Sequence, residues 1–186
     1  MFFFSSENDT TFKPRSIEHA YLCIINNDIL QAQAVFESLE SPRALWGKSL
    51  TDILSGYIER YPTYFEIRNF LEIDLDFLIK NEKIDYVESL LGSLEFLVEI
   101  NQEAYKYVAR VMYENKFYKS AREYMEKSKN IFYNDPELHF MFSKYYLNSH
   151  NYEEALYYIN ECLKILPDYF PAKKIKENIS KFIDIN

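Results

Sequence analysis

Glycine is almost missing: Gly47, Gly56 and Gly92 are the only three in 186 residues. Spread that thinly, they form no phosphate-cradling loop, and neither GxGxxG nor GxxxxGK[ST] occurs. Cysteine is equally scarce. Cys23 and Cys162 lie far apart on the apolar stripes of different predicted helices, which reads as two reduced, packed thiols and no disulfide framework. The three histidines, His19, His139 and His150, come without HExxH or CxxC spacing. Glu137 and His139 are two apart and do not share a helix face. A nucleophile, base and acid are therefore not assembled, a hydrolase or metal enzyme is disfavoured, and no cofactor is expected. No apolar run approaches the roughly 20 residues that span a bilayer. The Phe2-Phe3-Phe4 start lacks a basic flank and a long apolar core, so it is no secretory signal, and a cytoplasmic location is expected.

Positive charge is short in one half only. Residues 1–101 carry 8 Lys+Arg against 17 Asp+Glu, whereas 102–186 carry 13 against 12, within a net charge of −8. Phosphate binding needs clustered cations, so nucleic acid is excluded as a natural partner. The acidic half reads as a solvated face that would also suit a basic partner. Glu72 and Asp76 share a helix face near Asp74 and Glu66, and exposed acidic surface is the simplest account of them. What is abundant is apolar and aromatic side chain: 48% hydrophobic and 18% aromatic residues, including 17 Tyr, enough for a folded core.

The most regular stretch runs from Pro136 to Pro167. An apolar-periodic run Leu138 to Leu147, an Asn-rich corner and a second run Tyr152 to Leu166 describe two helices closed by proline. Moving back 34 residues, Tyr105, Val108, Ala109 and Met112 fall on His139, Phe142, Ser143 and Tyr146. Tyr118, Ala121, Met125 and Ser128 likewise fall on Tyr152, Ala155, Ile159 and Cys162, without a gap. This pattern resembles the tetratricopeptide repeat, a helix–turn–helix unit of that period. Ala121 and Ala155 sit where the family needs a small side chain, and Pro167 is its closing proline. Tyr133 replaces proline, Ala109 and Ser143 replace glycine, and His139 replaces the large aromatic.

The fold class that follows is all-α: a right-handed α-solenoid of antiparallel helix pairs with a C-terminal capping helix. Residues 1–12 are expected to form a flexible arm. Residues 13–61 would hold one degenerate repeat, with a corner at Asn26-Asn27-Asp28, and an extra helix Ala44 to Arg60 stopped by Tyr61-Pro62. Residues 62–101 would form a degenerate repeat from helices Thr63 to Lys80 and Asp85 to Val98, with Val87, Leu91 and Leu94 inward. Alternatively, Thr63 to Lys80 pairs with the extra helix. Residues 102–135 and 136–169 are the two regular repeats. Residues 170–186 form the cap, with Ala172, Ile175, Ile179 and Phe182 on one face. Asparagine at Asn27, Asn81 and Asn115 suits the left-handed backbone of a tight corner.

With the repeat positions turned toward the partner helix, Lys106, Tyr107, Arg110 and Tyr113 fall on the free side of one first helix. Phe140, Met141, Lys144 and Leu147 do so on the next. The resemblance implies a concave groove there, holding an extended or helical peptide. Aromatics, a flexible Met and three cations suit an amphipathic, partly acidic segment. The competing account packs Tyr107, Phe140 and Met141 against neighbouring repeats. The clamp that related proteins use on acidic chaperone tails is absent, since Glu72, Asp76, Tyr107, Glu137 and Met141 stand at its places. The expected role is a protein-interaction module or adaptor. A dedicated chaperone or secretion-system partner is the narrower alternative, and a homodimer closed by exposed aromatics is a third.

Overall fold

A computed structural model describes residues 16–183, with side chains through Ser180. The whole of the expected arm (residues 1–12, with the Phe2-Phe3-Phe4 start), residues 13–15 and the Phe182 side chain lie outside the described residues. The chain forms two compact units, divided in sequence between Arg60 and Tyr61.

Unit 1 contains α1 (Ile17–Ile25), α2 (Ile29–Glu37) and α3 (Pro42–Ser55). Each helix begins on a side-chain cap, because its first amides have no carbonyl partner within the helix. Ser16, Asp28 and Ser41 accept from the amides of His19, Gln31 and Ala44 at 3.2, 3.1 and 3.1 Å. Ala20, Ile24, Phe36, Trp46 and Leu50 are fully buried between the three helices. Gly47 admits the Phe36 ring: a Cβ there would stand 2.4 Å from Phe36 Cδ1. Thus α3 packs on α2 and has a partner within its own unit. It also ends earlier than Tyr61-Pro62 would dictate. Gly56 takes a left-handed φ of 78° and closes the helix after Ser55. The buried Asp52 carboxylate then holds the segment that follows, accepting from the amides of Glu59 (3.0 Å) and Arg60 (2.8 Å).

Unit 2 is an α-solenoid array built from α4 (Tyr64–Lys80), α5 (Ile84–Gly92), α6 (Leu94–Ile100), α7 (Ala104–Glu114), α8 (Tyr118–Ile131), α9 (Pro136–Asn148), α10 (Tyr152–Ile165) and α11 (Phe170–Ile183). The 34-residue period is written in its backbone. Glu82, Lys116 and His150, each 34 residues from the next, all have positive φ (56°, 67° and 57°). At each corner the following amide reaches back five residues: Lys83 to Leu78, Phe117 to Met112 and Asn151 to Tyr146, at 2.9, 2.8 and 2.9 Å. These bonds satisfy carbonyls that the helix end would leave without donors. The corner asparagines work differently from expectation. Only Asn27 is itself left-handed. Asn81 and Asn115 precede the left-handed residue, and their side-chain amides donate to the carbonyls of Phe77 (2.8 Å) and Val111 (3.0 Å).

The small repeat positions are in the interior. Ala109, Ala121 and Ala155 have no exposed surface, and Met125, Phe142, Ile159 and Cys162 are fully buried beside them. Ser143, at a place where the family has glycine, donates its hydroxyl to the Ala155 carbonyl at 2.9 Å. That contact holds α9 and α10 close without leaving the hydroxyl unsatisfied.

The expected single helix Asp85 to Val98 is broken instead. Gly92 and Ser93 favour helix weakly, and Ser93 separates α5 from α6. The break rotates the apolar stripe, so Leu90 and Leu97 are buried with Val87 and Leu94, while Leu91 is half-exposed. At the other end, α11 buries Ala172 and Ile179 against α10 and leaves Lys173, Lys174 and Lys176 exposed.

Candidate partner-binding face

The first helices α4, α7 and α9 lie side by side, and a polar ladder crosses them. Arg110 of α7 bonds Glu72 of α4 through one guanidinium nitrogen and Glu137 of α9 through the other. Asn115 donates to Asp76 Oδ1 at 2.9 Å, and Lys80 pairs with the other oxygen of that carboxylate at 2.6 Å. Tyr113 donates its hydroxyl to the Lys144 carbonyl at 3.2 Å.

Lys106 is the centre of the ladder. Its ammonium lies 2.6 Å from Asp135, 3.0 Å from Glu103 and 3.2 Å from Glu137. Burial alone would lower its pKa, but the hydrogen bonds to Asp135 and Glu103 and the charges of Asp135 and Glu137 outweigh burial and raise it. Glu103 responds in kind: burial acts to raise its pKa, yet bonds from Lys106 and Tyr107 leave it below the ordinary range. Asp135 has a second task, since its other oxygen caps α9 through the amides of Glu137 (2.9 Å) and Leu138 (3.3 Å).

These contacts revise the expected groove. Lys106, Tyr107 and Met141 are buried, at 5%, 6% and 8% exposure, because the neighbouring first helices cover the sides of α7 and α9 that face away from their own partners. Arg110 is half-buried and paired on both sides. Tyr113, Phe140, Lys144 and Leu147 keep part of their surface open. Lys144 Nζ stands over the rings of Tyr113 (5.1 Å) and Phe140 (5.9 Å), and Phe140 meets Tyr169 edge-on at 5.2 Å. The acidic group read as exposed surface is also different. Asp74 is fully buried, Glu66 is buried in a capping box with Thr63, and Glu72 and Asp76 are tied into the ladder.

No group of His, Cys, Asp and Glu among the described residues could hold a metal ion. Cys162 is buried, which pushes its thiol up to about 11 and leaves it unreactive at neutral pH. His139 is buried between Tyr133 (5.5 Å between ring centres) and Tyr158 (6.0 Å). Burial lowers its pKa against the opposing pull of the Tyr133 backbone and of Glu161 and Asp135. The unfolded chain therefore takes up a proton at this residue as pH falls through about 6.5, before the folded chain does. Stability carried by His139 is lost in that direction. Urea unfolding of the wild type should weaken between about pH 7.5 and 5.5, and His139→Phe should show a smaller loss over the same interval.

No protein-family model matches the chain, and no curated protein matches it. A solved structure does: the C-terminal part of a TPR repeat-containing protein from Cytophaga hutchinsonii. The chain is similar to a tetratricopeptide-repeat structure. The two share 16% identity over 88% of this chain and 70% of that one, with a TM-score of 0.47, and the likeness concerns fold alone. Among the described residues, no helix is long and apolar enough to cross a membrane.

Proposed function

We propose that the chain is a protein-binding module without chemistry of its own, holding a peptide or helical segment of a partner along the face of α7 and α9. The reading is supported by one observation above others. Tyr113, Phe140, Lys144 and Leu147 stay partly open on two adjacent first helices, in a face whose other cations are neutralised internally. An aromatic pair under a single lysine suits an amphipathic segment that presents an apolar side chain beside a carboxylate. Lys106 and Arg110 serve this face by fixing the spacing of α4, α7 and α9, and reversing their charge would damage the fold.

The test is affinity capture with Lys144→Glu/Leu147→Glu, beside Lys119→Glu on the exposed side of α8 as control. The double variant should lose the partners that the wild type and control retain, with unchanged helicity. Recovery of the same partners by all three proteins contradicts the reading. Self-association abolished by the double variant would instead make the occupant a second copy of the chain.

A further inference from the structure

The second helices of unit 2 end in a way that folding alone does not require. Both α8 and α10 stop on an isoleucine followed by a large apolar cap residue, Ile131-Phe132 and Ile165-Leu166, 34 positions apart. The backbone is the same at both caps, with φ −129° and ψ 81° at Phe132 and φ −127° and ψ 79° at Leu166. The amides of Phe132 and Leu166 donate to the carbonyls of Ser128 and Cys162, each at 2.9 Å, so the main chain ends each helix and calls for no apolar side chain. Yet the side chains are apolar and open: Ile131 and Phe132 are 37% and 39% exposed, Ile165 and Leu166 41% and 44%. The helices α9 and α10 follow the first pair and touch α8, and they still leave it uncovered.

Two tyrosines join the pairs into one rim. Tyr133 and Tyr157 are 49% and 51% exposed, and their side chains are hydrogen-bonded to each other. Lys129 Nζ lies 3.2 Å from the Tyr158 hydroxyl, which sets α8 beside α10. With about 200 Å² to a whole large side chain, the six residues leave roughly 500 Å² of mainly apolar surface open, as much as the largest and often functional patches of monomers. A standard interface takes about 800 Å² from each partner, a little over half of it apolar. The rim is therefore large enough for a stable contact with one partner.

Charge decides which partner. Around the rim the carboxylates are balanced within the chain: Glu126 has Lys129 (3.8 Å), Asp135 has Lys106 (2.6 Å), Asp168 has Lys173 (2.9 Å), Glu161 has Lys164, and Glu137 is shared by Lys106 and Arg110. Lys127 stands over the rings of Tyr105 (5.2 Å) and Tyr124 (5.6 Å). No excess of either sign remains to hold an anionic surface or a charged peptide. Two copies of a chain of net charge −8 repel each other, chiefly through residues 1–101. Residues 102–186, with 13 Lys+Arg against 12 Asp+Glu, are where one copy can meet another without that cost.

We propose that this rim closes a homodimer, in which Ile131, Phe132, Tyr133, Tyr157, Ile165 and Leu166 meet the same residues of a second copy about a two-fold axis. They lie on second helices and the turn after α8, so the α7–α9 face of each copy stays available to another partner.

Sedimentation velocity of the full chain between about 1 and 100 µM should show a 22.4 kDa species giving way to one of twice that mass. Phe132→Ser/Leu166→Ser should raise the midpoint concentration by about tenfold or more, with unchanged helicity. Ile131→Lys/Ile165→Lys puts a favourable cation in the last turn of each helix, keeps the result interpretable if the first variant loosens the caps, and should weaken the dimer as well. Ile84→Ser/Phe117→Ser, equally exposed at 55% and 48% but at the starts of α5 and α8, should dimerise like the wild type. Because the rim carries no net charge, the wild-type midpoint should hold between about 0.05 and 0.5 M salt. A wild type that stays monomeric at about 100 µM, rim variants that dimerise as it does, a loss shared equally by the Ile84/Phe117 variant, or a dimer dissolved by salt overturns the proposal. Self-association lost only in Lys144→Glu/Leu147→Glu also overturns it, in favour of the α7–α9 face.

Discussion

Lys106→Met should destabilise unit 2 by about 3 kcal/mol, near the lower end of the range for breaking a buried ion pair. The lysine side chain is 6% exposed, and its loss leaves Asp135 and Glu103 beside Glu137 with no shared cation. Glu137 is 47% exposed, so water would screen part of the repulsion and hold the loss toward that lower end. Asp135→Asn is the informative companion. It keeps an oxygen to cap α9 but removes the charge nearest the ammonium, so the double variant should lose less than the two single losses added together. The pH dependence has a definite sign. With the Lys106 pKa raised, its contribution is complete below about 10.5 and disappears as pH rises beyond it. With the Glu103 pKa lowered, its contribution is complete above about 4.5 and disappears as pH falls. Urea denaturation of wild type and variants at pH 7 measures the loss. A variant as stable as the wild type would mean that the cluster is replaceable by hydrophobic packing.

Ala121→Leu and Ala155→Leu should each cost about 1–3 kcal/mol by overpacking. Both alanines have no exposed surface and lie at equivalent places on second helices. Larger side chains there push α8 from α7, or α10 from α9, and the displacement is passed to the next pair through the shared core of Ala109, Met125, Phe142 and Tyr158. The Ala155 variant carries an added penalty if the shift lengthens the bond from Ser143 to the Ala155 carbonyl. Thermal unfolding followed at 222 nm reads both. Unchanged midpoints would mean that the small residues are not at the closest approach of the helices.

The helix pairs were legible in the sequence because their signals are local. Ala121 and Ala155 recur 34 residues apart, and the apolar positions around them keep helical spacing, so pattern alone places them inside. The break at Ser93 was harder to see, since the leucines on either side continue a helical pattern through it. The candidate face was legible only in part. Which residues of α7 point away from α8 follows from helix geometry, but whether neighbours cover them depends on contacts between pairs. Lys106 illustrates the difference: a lone lysine beside tyrosines reads as solvent-facing, and only the fold brings Asp135 and Glu137, 29 and 31 positions away in sequence, to its ammonium.

The central claim is that each helix pair is stable because its neighbour covers it, and circular dichroism of fragments tests this most directly. A fragment of residues 136–169 alone should be weakly helical and melt without a cooperative transition, whereas residues 61–186 should be strongly helical and melt cooperatively. A cooperative transition in the isolated pair, at the midpoint of the longer fragment, would contradict the account.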